Sequence, residues 1–205
     1  MDGDQLSPPV PRRPMHRRSV QCDGYLRDDG QWEVEARLLD TKGYALIHHA
    51  RGPLEAGAAA HDMTLRLTID DELRLTAIEA EMAITPMLTC QDVRRHLPLL
   101  IGVRFVSGWR KAVRERIQER DGCTHLSTLI DAAVTTLYQT SGMGKEPEGR
   151  NALEHVRNSK FAPGRLPFFV DRCHGWRADG PAVQEHLPQF AATSDVQEAG
   201  REIKR

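Results

Sequence analysis

The chain has 205 residues, with 28 lysines and arginines against 29 acidic residues and a net charge of −1. Near-neutral charge gives no electrostatic case for nucleic-acid binding, and an aromatic content of 5% argues against base stacking. No apolar run approaches the roughly 20 residues that span a bilayer, so a cytoplasmic protein is expected, with no membrane role and with its four cysteines reduced.

Residues 1–19 carry Pro8, Pro9, Pro11 and Pro14, and the basic run Arg12, Arg13, His16, Arg17 and Arg18. Proline denies backbone donors to helices and sheets. An extended arm is expected, its basic residues either solvated or set against an acidic protein partner. No apolar stretch follows these arginines, so no signal peptide is read here.

Val20 to Asp40 reads as a β-hairpin. Trp32, Val34, Ala36 and Leu38 alternate with Glu33, Glu35 and Arg37, the period of a half-buried strand. Asp28-Asp29-Gly30 marks the turn. Residues 41–60, rich in Gly and Ala, read as a loop. A second hairpin follows: Met63, Leu65, Leu67 and Ile69 alternate with polar residues, Asp70-Asp71-Glu72 turns, and Leu73, Leu75 and Ala77 return. The apolar phase then shifts to Ile78, Ala80 and Met82, which predicts a bulge.

Beyond residue 90 the period changes to that of a helix. Gln91–Leu100 and Trp109–Gln118 are short helix candidates. Leu126, Leu129, Ile130, Ala133, Val134 and Leu137 form an apolar stripe that predicts a helix from about Thr124 to Tyr138. Gly142, Gly144, Pro147 and Gly149 break the chain. Leu166–Val170 reads as a short strand, and the residues after Phe190 as a frayed polar tail. The expected fold class is α+β, an antiparallel sheet with helices on one face. The expected organisation is an arm (1–19), a single domain (20–190) and a tail (191–205).

The chemistry-bearing residues are cysteines and histidines near the ends of these elements. Cys123 and His125 open the long helix, Cys173-His174 follows the late apolar run, Cys90 follows the second hairpin, and His61-Asp62 precedes it. Thiolate and imidazole suit Zn²⁺ and iron–sulfur clusters, and a carboxylate completes a zinc shell. The spacing is not that of a zinc finger, so the ligands must come from separated segments. A cysteine at a helix start also meets the dipole and free N–H groups that favour thiolate, with His125 as its base. Against both stands the plain reading of each cysteine as a small core residue. Cys22 reads as core, and His16, His48-His49 and His186 as solvated. A phosphate-binding loop and a nucleophile elbow are excluded by motif.

Four segments, CDGYLRDDGQWEVEARLLDTK, HDMTLRLTIDDELRL, DGCTHLSTLIDAAVTT and LPFFVDRCHGWRADGPAV, resemble in this order a bacterial family of unknown function, over about residues 8–190. That resemblance brings no activity. Asp62 to Val134 is also similar to the NifU/IscU-type iron–sulfur scaffold proteins and their zinc-binding SufU relatives. Those have a hairpin with an acidic turn, a cysteine, helices, and a cysteine opening a long helix. The likeness implies a site built from Asp62, Cys90 and Cys123, and the cysteine–histidine pairs add His125 or a group from Cys173-His174, with His61 nearby. The first scaffold cysteine is absent, since the chain reads Ala60-His61-Asp62 there, and this departure favours zinc over cluster assembly.

Three functions stand at this level. The chain is a metal-binding protein, such as a metal or sulfur-transfer accessory factor; a thiol- or zinc-dependent enzyme acting on a small molecule; or a non-catalytic interaction module.

Overall fold

The computed structural model describes residues 6–158, 167 and 169–191. The chain forms two compact units, Met1–Gly142 and Met143–Arg205.

The first unit contains β1 (His16–Leu26), β2 (Trp32–Lys42), β3 (Leu46–His48), β4 (Gly52–Leu54), β5 (Ala59–Ile69) and β6 (Leu75–Ile84). β1, β2, β5 and β6 form one antiparallel sheet in the order β1-β2-β5-β6. The α+β expectation holds. The alternation read from β2 is the burial pattern found: Trp32, Val34, Ala36 and Leu38 are buried, and so are Met63, Leu65, Leu67 and Ile69 of β5. The opposite face is polar. There Arg66 pairs with Glu35 and Glu79, and Arg37 forks onto Asp62. One face packed and one face wet is the usual solution for an antiparallel sheet.

The turn before β6 follows its acidic sequence. The Asp70 carboxylate accepts the N–H groups of Glu72 and Arg74 at 2.9 Å each, an Asx-type turn. The expected bulge is present. Thr68 pairs with Ala77 but Ile69 pairs with Leu75, so Thr76 is the extra residue. Leu75 and Ile78 are buried on either side of it, which is the phase shift seen in the sequence.

After β6 the chain passes through a 3₁₀ run (Leu88–Leu100) to α1 (Trp109–Arg116) and then α2 (Thr124–Ser141). All six stripe residues of α2 are buried, Leu129 completely. Each of the five larger ones, Ala133 excepted, contributes about 1.5–3 kcal/mol on burial. α2 lies on the apolar face, against β2, β1 and β5. Its last turn presses so closely on β1 that a Cβ at Gly24 would overlap the Thr140 side chain. Glycine is required there by space rather than by backbone angle.

Three local expectations differ from the structure. Residues 41–60 are not all loop: β3 and β4 form a small separate hairpin. The segment expected as a helix over 91–100 is 3₁₀ and starts at Leu88, with Pro98 inside it. Proline supplies no N–H and crowds the preceding turn, which works against a regular α-helix. β1 reaches back to His16, into the stretch read as an arm.

The second unit holds α3 (Ala152–Asn158), a 3₁₀ turn (His174–Trp176) and α4 (Pro181–His186), with a small core of Val170, Ala178, Val183 and Leu187. The strand expected over 166–170 falls partly outside the described residues. Phe169 and Val170 lie in a turn, where the Val170 N–H donates to Pro167 O. Most of the expected tail, from residue 192, also lies outside them. Among the described residues no helix is long and apolar enough to cross a membrane.

Candidate metal centre

The inward row of β2 does not end at Leu38. The next inward position is Asp40, whose side chain is 1% exposed. On β5 the row Met63, Leu65, Leu67, Ile69 extends backward to His61, which pairs directly with Asp40 in the strand register. On β1 the residue opposite Asp40 is Arg18. One rung of the sheet therefore carries Arg18, Asp40 and His61 side by side. The first turn of α2 adds His125 from above.

The geometry centres on the Asp40 carboxylate. Arg18 donates to both oxygens, Nε to Oδ1 at 2.8 Å and Nη2 to Oδ2 at 2.7 Å. His61 Nδ1 lies 3.2 Å and His125 Nε2 3.4 Å from Oδ2, and His16 Nε2 lies 3.3 Å from Oδ1. The His61 and His125 rings stack with centroids 3.8 Å apart. His61 Nδ1 is buried against the Asp40 carboxylate in a contact short of a well-formed hydrogen bond.

The charge states follow from these contacts. The Arg18 hydrogen bonds hold the Asp40 carboxyl below its ordinary pKa, outweighing burial. Burial pushes His61 down, with His125 adding to the effect and Asp40 opposing it. Burial also lowers His125, followed by the nearby Arg18. At neutral pH the centre is one carboxylate and two neutral imidazoles, the protonation states a metal requires of its ligands.

Asp40, His61 and His125 offer three ligand atoms within 4.8 Å of one another, and they are the one such group of His, Cys, Asp and Glu among the described residues. The residues expected from sequence divide accordingly. His61 and His125 come together. Asp62 sits on the opposite face of β5, forked by Arg37. Cys90 packs partly buried against the core. Cys123 occupies the position before the first turn of α2 without a capping hydrogen bond, its Sγ 3.8 Å from His125 Nδ1. Cys173 and His174 are exposed in the second unit. No cluster of cysteines occurs among the described residues. Cys22, read as core, is partly buried against it. His16, read as solvated, is exposed, and its Nε2 also reaches Asp40. The residues that sequence reading missed are Asp40, Arg18 and His16, although Asp40 continues the alternation of β2 and His61 that of β5.

A four-stranded antiparallel sheet, covered on one face by a long helix and carrying a buried aspartate with two partly buried histidines where helix and sheet meet, defines an α+β domain with a polar centre beside its apolar layer. The family described as "Protein of unknown function (DUF2889)" matches residues 16–139, a span that runs from the first strand through the long helix. The chain belongs to this family. No curated protein and no solved structure matches it significantly.

Proposed function

We propose that the first unit binds a single divalent cation, zinc by its donor set, through Asp40, His61 and His125. The observation that carries the reading is the convergence of His61 Nδ1, 3.2 Å away, and His125 Nε2, 3.4 Å away, on one oxygen of the buried Asp40 carboxylate. The spacing suits the ion. Zinc bonds of about 2.0–2.1 Å in a tetrahedral shell imply ligand–ligand edges of roughly 3.3–3.4 Å, against separations of 3.2 and 3.4 Å here. Arg18 would serve as the outer partner that orients the carboxylate. Three protein ligands leave a fourth position for water or substrate, the pattern of zinc sites that do chemistry rather than only hold a fold. An iron–sulfur cluster needs cysteine thiolates, so that option is not carried forward.

The test is zinc titration by calorimetry on tag-free protein stripped with chelator. Wild type should take up one equivalent. Asp40→Ala, His61→Ala and His125→Ala should each abolish uptake while remaining folded by circular dichroism, and Asp62→Ala should bind as wild type does. Equal uptake by the His61 and His125 variants would refute the ligand set.

A further inference from the structure

Cys123 is the one chemically reactive group beside the centre that the metal reading leaves unused. It stands at the start of α2, and no side chain caps that end. The first amide N–H groups of an α-helix have no partner within it, so donors lie open next to the sulfur. On the imidazole side, Sγ is 3.8 Å from His125 Nδ1, and His125 Nε2 is 3.4 Å from the buried Asp40. Thiol, imidazole and carboxylate thus stand in sequence, each in reach of the next. Cys123 also lines a cavity of about 530 Å³ whose walls join Leu97, Trp109, Val113 and Ile130 to Arg110, Glu119 and Asp131, and which His125 meets only through the Cys123 sulfur. A nucleophile, a base, a group orienting the base, a set of helix N–H donors and a pocket with apolar walls and a charged rim are the parts of an acyl-transfer site.

We propose that Cys123, with His125 as base and Asp40 as the positioning group, attacks esters or thioesters of apolar acids whose acyl chain occupies this cavity. In the first step the sulfur bonds to the acyl carbon and the bond from that carbon to the leaving oxygen or sulfur breaks. The thiol proton passes to His125 Nδ1 and on to the leaving group. In the second step a water, giving its proton to His125, attacks the thioester. The carboxylic acid departs and the proton returns to the Cys123 sulfur. The α2 amides face the oxygen that becomes negative in both steps. Asp40 holds the hydrogen on Nε2, which leaves the Nδ1 lone pair for the thiol. This role and metal ligation use opposite tautomers of His125, so the chemistry belongs to the metal-free protein.

The test uses the full chain in EDTA, carrying Cys173→Ser to remove the exposed thiol, with p-nitrophenyl acetate, butyrate and octanoate. The expected result is a burst of one equivalent of nitrophenolate and an acyl mass on Cys123 by peptide mapping. The longer esters should react faster than acetate. His125→Ala should slow acylation by about 10²–10⁴-fold, the usual range for a general base. His125→Gln should fail in the same way, and its melting curve checks folding. Val113→Trp, which fills the cavity, should slow octanoate more than acetate. Acyl groups spread over Cys22 and Cys90 as readily as Cys123, no response to the His125 variants, or no preference for apolar chains would overturn the proposal. Zinc uptake is read separately by calorimetry, so either result can fail while the other stands.

Discussion

The acid response of the first unit should be set by His61 and His125. Both are depressed below the ordinary histidine value, first by burial, and they face Asp40, Arg18 and His16. The unfolded chain protonates these imidazoles below about pH 6.5 while the folded chain resists it. Between those two pKa values the unfolded state binds more protons, so stability rises with pH and is lost as pH falls. The limiting case is a fold in which neither ring protonates. Going from pH 7.5 to 5.5 then removes about 1.4 kcal/mol per histidine, or about 2.7 kcal/mol for the two. Urea denaturation of metal-stripped protein across this window measures the loss. His61→Gln and His125→Gln should each remove part of the dependence. A midpoint that stays flat or rises toward pH 5.5, or a slope unchanged in both variants, would refute the burial argument. At still lower pH the sign is the same for Asp40. Its depressed pKa means its contribution is intact above about pH 3.9 and disappears only as pH falls through the lower folded value.

Leu129→Ala should cost about 2–5 kcal/mol in chemical denaturation, since Leu129 is wholly buried in the stripe of α2; a cost under 1 kcal/mol would mean the helix does not seal the sheet. Gly24→Ala should destabilise because its Cβ would collide with Thr140, and Thr140→Ala should restore part of the loss in the double variant. Additive costs in that pair would show that the two positions are not in contact. If zinc binds as proposed, saturation at 100 times its dissociation constant should stabilise the unit by about 2.7 kcal/mol, seen as a higher melting temperature that the His61→Ala variant lacks.

Much of the scaffold was legible because each element states its period. β2 and β5 alternate cleanly, and α2 has its six apolar residues at helical spacing. The bulge was legible because the two halves of β6 disagree in phase. The 3₁₀ run was not, since Leu97 and Leu100 at a three-residue interval also fit an α-helix. β3 and β4 are three residues each, too short for a period. The centre was half legible. The cysteines are the more conspicuous signal, but local packing and the Arg37 ion pair place Cys90 and Asp62 elsewhere. The better signal was a charged residue in phase with buried ones. Asp40 follows Trp32, Val34, Ala36 and Leu38 on the inward side of β2, where an unpaired charge is untenable. Its partners had to exist, but which residues stand opposite it depends on strand register, and a one-residue slip would have exchanged Asp62 for His61.

β1 lies at the edge of the sheet, where strands open most readily. It is fastened there not only by its backbone ladder to β2 but also by Arg18, whose fork closes on Asp40. Peeling β1 away therefore exposes the buried carboxylate and strips it of its counter-charge in a single event. The outermost strand thus acts as a latch on the centre, and amide exchange along β1 should report on whatever occupies Asp40, His61 and His125.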